Sequence, residues 1–165
     1  MATEYEGSVS QVHQTFGDER YWHARLADSG ADDASLDVLT VTDDGGIDVV
    51  TTQVLRADRL PGLVAQFHHG DLSIQREERW QPVRDGQATG SVSGSIARAP
   101  VSLTGTAVLA PRDHDAVSAR LSVRITVEVR VPLVGGKIES FIGGQLTDLL
   151  IAEQRFTTVW IAENA

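Results

Sequence analysis

From Ala116 to Val131 the chain alternates without a miss. Val117, Ala119, Leu121, Val123, Ile125, Val127, Val129 and Val131 are apolar, and Ser118, Arg120, Ser122, Arg124, Thr126, Glu128 and Arg130 between them are polar. Successive strand residues face opposite sides of a sheet, so the pattern predicts one long strand with a buried and a wet face. A helix would scatter the same residues around its axis. The two segments before it behave alike: Val101, Leu103, Gly105, Ala107 and Leu109 alternate with Ser102, Thr104, Thr106 and Val108, and Ala88, Gly90, Val92, Gly94 and Ile96 alternate with Thr89, Ser91, Ser93 and Ser95. Breakers fall between them at Arg84-Asp85-Gly86, Ala99-Pro100 and Pro111 to Asp115, which predicts an antiparallel meander open to water on one side.

Earlier strands are expected at Leu36 to Val41 and Ile47 to Leu55, joined by the hairpin punctuation Asp43-Asp44-Gly45-Gly46, and at Leu72 to Gln81. Pro61 could open a short helix between Leu60 and Gly70. Two short helices are expected at Val9 to Phe16 and Asp18 to Ala27, with Asp18 as N-cap and Gly30 just past the second. The last long segment, Val134 to Ala162, reads as a helix. Ile138, Ile142, Gln145, Leu146, Leu149, Glu153, Phe156 and Trp160 fall on one face at helical spacing, while Gly143-Gly144 lies off that stripe and invites a kink. No repeat or linker divides the 165 residues, so one α+β domain is expected over residues 1–165.

Composition narrows the chemistry by exclusion. The absence of cysteine removes disulfides, thiolate metal sites and a cysteine nucleophile. A formal net charge of −9 disfavours nucleic acid and anionic membrane as partners. With no signal-like N-terminus and no apolar run of membrane length, a cytoplasmic location without membrane insertion is the expectation. His68 and His69 are adjacent, and His13, His23 and His114 have no partner at ligand spacing, so neither a metal nor another cofactor is expected.

The order of strand, two short helices, antiparallel strands and a long amphipathic C-terminal helix resembles the helix-grip fold of the START-like (SRPBCC) superfamily. Val12 to Phe16, followed by Asp18-Glu19-Arg20-Tyr21-Trp22, is similar to that superfamily's early helix and its acidic, aromatic turn. Tyr21-Trp22-His23 with Gly30, together with Leu72 to Trp80, resembles an actinobacterial family of unknown function within it. The resemblance implies a curved sheet wrapped around the last helix, with an apolar cavity between them. It further implies a lipid, polyketide or other small hydrophobic molecule as ligand, and in some members cyclisation or dehydration.

Candidate residues follow from the registers. Gly90, Gly94, Gly105 and Ala107 point inward, where small residues either leave a cavity or mark bends in a curved sheet. The inward register of Leu72, Ile74 and Trp80 carries Arg76 and Glu78 with it; either they form a buried pair, or a twist returns them to solvent. Gln53 shares a register with Ile47, Val49 and Leu55. On the helix, Gln145 and Glu153 interrupt the apolar stripe; Glu153 among Leu149, Phe156 and Trp160 is either a candidate carboxylate with a raised pKa, or an edge-of-stripe glutamate that reaches water or pairs with an arginine, and the second reading is favoured. The ligand-binding set is therefore Gln53, Arg76, Glu78, Trp80, Gln145, Leu149, Glu153 and Phe156, and no catalytic motif is present. A non-enzymatic binder is the leading expectation, with an enzyme using Glu153 or Glu78 as acid/base beside Arg76 as the alternative. Leu150 and Ile151 on the opposite helix side could instead serve an interaction surface, in a monomer or a homodimer.

Overall fold

A computed structural model describes residues 1–59, 62, 70–113, 115–131 and 135–164, with only the backbone at 115 and 116. The elements run β1 (Ala2–Tyr5), α1 (Val9–Phe16), α2 (Glu19–Asp28), β2 (Asp33–Val41), β3 (Ile47–Leu55), β4 (Leu72–Trp80), β5 (Ala88–Ile96), β6 (Val101–Arg112), β7 (Asp115–Val129) and α3 (Gly135–Asn164). The expected helix opened by Pro61, the pair His68-His69 and His114 lie outside the described residues.

The strands form one curved antiparallel sheet in the order β1-β7-β6-β5-β4-β3-β2. Every join from β2 to β7 is between chain neighbours, as short turns demand; β1 alone crosses over, pairing Tyr5 with Ala119 and Ala2 with Ser122. Tight turns sit where the breakers predict, with Asp85 and Gly86 both at positive φ between β4 and β5. Along β7 the alternation appears as burial: Ala119, Leu121 and Val129 are buried, while Ser122, Arg124, Thr126 and Glu128 are exposed. It fails at Val117, which is 72 % exposed, because the ladder shifts register between Pro111 and Arg112 and turns that end of the strand.

Each short helix is started by a side chain. Ser8 accepts from the Gln11 amide and Gln11 answers the Ser8 amide, while Asp18 accepts from the Arg20 amide. α3 lies on the concave face, reaching about 45 Å from the β7 exit to the end near Gly7. Its two ends are held more firmly than its middle. Gly135 and Ile138 are buried near the β7 exit, and Thr157 and Ile161 are buried with Tyr5, Val9, Phe16, Trp80, Leu109 and Ala119, whereas Phe141, Ile142, Leu146, Leu149 and Leu150 between them are only half-buried.

The helix runs unbroken through Gly143 and Gly144, and an added Cβ at either meets nothing within 4 Å. Gly143→Ala and Gly144→Ala should each raise stability by about 0.5–1 kcal/mol, since alanine fixes helical backbone at lower entropic cost. A denaturant titration of each variant measures this directly.

The inward glycines do not leave the space their size suggests. A Cβ on Gly90 would lie 2.8 Å from the Trp80 indole, and one on Gly105 would lie 2.7 Å from the Arg124 carbonyl oxygen and 2.9 Å from Val92. Neighbours already occupy both positions; they permit close packing in a bent sheet. Ala107 does border a cavity.

Candidate functional site

β4 crosses the middle of the concave face, and its inward register is Leu72, Ile74, Arg76, Glu78 and Trp80. Arg76 pairs across the ladder with Thr51 and Gly94, and Glu78 with Val49 and Val92. Both charged side chains stay inside: each is 16 % exposed. No twist returns them to water, because α2 and α3 supply partners above them.

α2 turns Tyr21, Trp22, Arg25 and Leu26 toward the sheet, and α3 lowers Glu153 from the other side. Glu153 bridges two arginines, with Oε2 2.5 Å from Nη2 of Arg25 and Oε1 accepting from Nη2 of Arg76 at 2.9 Å. Nη2 of Arg76 also lies 3.2 Å from Glu78, and Nη2 of Arg25 lies 3.6 Å from the same carboxylate. Two guanidiniums and two carboxylates thus form a closed, neutral quartet. The Arg25 guanidinium sits 4.6 Å above the Trp22 ring. Its Nη1 donates to the Tyr21 hydroxyl at 3.3 Å, and Tyr21 and Thr157 share a 2.7 Å hydrogen bond. Thr157 donates to the Glu153 carbonyl at 2.8 Å, so the tyrosine is the donor in that shared bond.

The electrostatics decide between the two readings of Glu153 in favour of arginine pairing. Burial pushes the Glu153 carboxyl up, but the charges of Arg25 and Arg76 and their hydrogen bonds outweigh it and hold the group below the usual glutamate range. Burial likewise opposes charge on Arg25, yet Glu153, Tyr21 and Glu78 hold it well above its ordinary value. Glu153 is a fixed carboxylate, not a proton donor in waiting.

Two cavities flank the quartet, and Arg25 and Glu153 border both. One, of about 70 Å³, is walled by Tyr5, Phe16, Trp80, Ala107, Leu121 and Val123. The other, of about 60 Å³, is more polar, with Thr51, Gln53 and Arg76 facing Trp22, Leu149 and Phe156. Of the eight residues singled out by register, Glu78 and Trp80 border the first space, Gln53, Arg76, Leu149 and Phe156 the second, and Glu153 both. Gln145 does not join them. It is exposed, because α3 presents Glu153, Thr157 and Ile161 to the sheet and this line passes Gln145 by. Arg25 was missed by sequence reasoning, although it stands four residues after Tyr21 and three after Trp22, on the buried side of α2.

The two described histidines are structural or superficial. Nε2 of His13 lies 2.9 Å from the Gln81 carbonyl, tying α1 to the end of β4, and His23 sits 3.4 Å from Glu19 at the surface. Among the described residues, no three His, Asp or Glu side chains gather as metal ligands, and no helix is long and apolar enough to cross a membrane.

Residues 1–161 match the family model described as Protein of unknown function (DUF2505). The chain belongs to the DUF2505 family. An uncharacterized Mycobacterium tuberculosis protein (strain H37Rv) is 51% identical over 168 residues, covering 99% of this chain and 96% of that one, and a Mycobacterium bovis protein matches equally well. In fold, this DUF2505 chain is similar to a conserved protein from Geobacillus kaustophilus (TM-score 0.52, 14% identity, covering 98% and 93% of the two chains). It is also similar to dicamba monooxygenase bound to 3,6 dichlorosalicylic acid, with TM-score 0.54 and 13% identity over 98% of this chain and 48% of that one. Identities this low speak to architecture, and architecture alone does not assign chemistry.

Proposed function

We propose that this DUF2505 protein is a START-like (SRPBCC) helix-grip binder of a small, largely apolar molecule held between the concave sheet and α3. The observation that carries this reading is the quartet with a cavity on either side of it. Buried ion pairs are rarely the most stabilising way to fill an interior, since well-packed apolar residues of similar volume do as well or better. Four charges where the packing opens on both sides are better explained by a molecule they orient.

The cavity sizes refine the ligand. Pockets for drug-sized molecules span about 300–1,000 Å³, and an engineered cavity of about 150 Å³ takes benzene. Each of the two spaces, about 70 and 60 Å³ on either side of the quartet, is about half of that as it stands. A compact, polyketide-like ring suits them better than a long-chain lipid, and entry requires α3 to yield. Its half-buried middle, with Gly143-Gly144, is the part placed to do so. An enzymatic reading with Glu153 as general acid is disfavoured by the arginines that keep it ionised.

Native mass spectrometry of the purified protein, with organic extraction of whatever travels with it, tests the proposal. A retained small molecule, or a thermal shift with compact aromatic ketones or esters, is the expected result. Protein that is always empty and shifts with none of them would overturn it.

A further inference from the structure

We infer that the ligand is uncharged and carries a hydrogen-bond acceptor, such as a ketone, ester or lactone carbonyl, that accepts from Nε of Arg76. This rests on the proposed binding between sheet and α3 and specifies the chemistry of what is bound. The quartet is already balanced. Arg25 and Arg76 face Glu78 and Glu153 with every carboxylate engaged, so a ligand carboxylate or ammonium entering this space would bring an unmatched charge out of water. A neutral guest brings none.

One donor in the quartet is nevertheless spare. Both glutamates meet Arg76 through Nη2, while its Nε is buried and has no hydrogen-bond partner among the described residues. A buried guanidinium N–H without an acceptor is costly to maintain, and supplying the acceptor recovers that cost. Arg76 borders only the more polar cavity, where Gln53 adds an amide and Trp22, Leu149 and Phe156 supply apolar wall. The guest's carbonyl oxygen belongs there, with its ring against those side chains. The other cavity, walled by Phe16, Trp80 and Leu121, is also bordered by the buried, unpartnered Thr3 hydroxyl, but by no unpartnered guanidinium N–H.

Four molecules of one shape separate the possibilities: acetophenone, benzoate, benzylamine and ethylbenzene, each titrated calorimetrically into the full chain near neutral pH. Acetophenone is expected to bind about tenfold or more tightly than the other three, the value of one hydrogen bond to a charged donor. Arg76→Lys keeps the positive charge and removes Nε; in it, acetophenone should lose its advantage over ethylbenzene, the ratio of the two affinities falling to about one. The wild-type comparison stands even if that variant does not fold. Benzoate or benzylamine binding as tightly as acetophenone would overturn the uncharged class. Ethylbenzene matching acetophenone in the wild type would overturn the Arg76 contact and leave binding between sheet and α3 intact. Binding by none of the four, with protein empty by mass spectrometry, would overturn both.

Discussion

Glu153→Ala is expected to destabilise the fold by about 3–5 kcal/mol, because it strips Arg25 and Arg76 of their shared counter-charge and leaves two buried guanidiniums facing Glu78 alone. In a domain of this size that lowers the melting temperature by roughly 6–20 °C. The loss comes from breaking a balanced group, not from the intrinsic worth of the ion pairs. Replacing all four members together with apolar residues of similar volume should therefore return stability close to wild type, while abolishing the thermal shift with ligand. Acid provides a second readout. Glu153 is held below its ordinary value of 4.5 when folded, so its contribution is present above that pH and is lost as pH falls through the lowered folded value. Wild type should weaken over that acid window, and Glu153→Ala should lack this share of the slope. Urea melts of both proteins between neutral pH and pH 3 decide it; a single variant as stable as wild type would show that the quartet is not closed in solution.

Trp80→Ala is expected to cost about 3–5 kcal/mol as well, by a different route. The indole is 5 % exposed, stacks on Phe16 at 5.2 Å between ring centroids and lies against the bare Cα of Gly90. Removing it joins new space to the cavity walled by Tyr5, Ala107 and Leu121. A rigid sheet cannot collapse to fill such a hole, so the variant should accept an apolar guest. Benzene or indole at a hundred times its dissociation constant would restore about 2.7 kcal/mol. Recovery of the melting temperature in Trp80→Ala, with a markedly smaller shift in wild type, checks the arrangement. A loss below about 1 kcal/mol would mean that the walls close in.

The strands were legible because their faces differ. β7 presents apolar and polar residues in strict alternation, and β3 and β5 fall on the expected boundaries, since breakers leave them no other place to end. The position of Arg76 and Glu78 was only half legible. Register put them inward, but whether a twist would free them depended on a partner from another element. That partner, Arg25, is silent in sequence because arginine on a short helix ordinarily reads as solvated surface. Which reading of Glu153 would win was open for the same reason: without Arg25 and Arg76 overhead, burial alone would have raised it, and the sequence does not say which arginines come near. Gln145 shows the limit of helical wheels. A stripe drawn at ideal spacing over so long a helix drifts from the line that touches a curved sheet.

The crossover that sets β1 beside β7 has a consequence for biosynthesis. At about 5–20 residues per second, a ribosome needs several seconds to reach Ser122, and until then the first strand has no partner. The helix that covers the sheet emerges later still. A growing chain therefore carries a half-built trough with its greasy side uncovered, and long-range pairings of this kind form slowly. Chains stalled before residue 135 are therefore expected to misfold more readily than the finished protein, the cost of an order in which the clasp is made last.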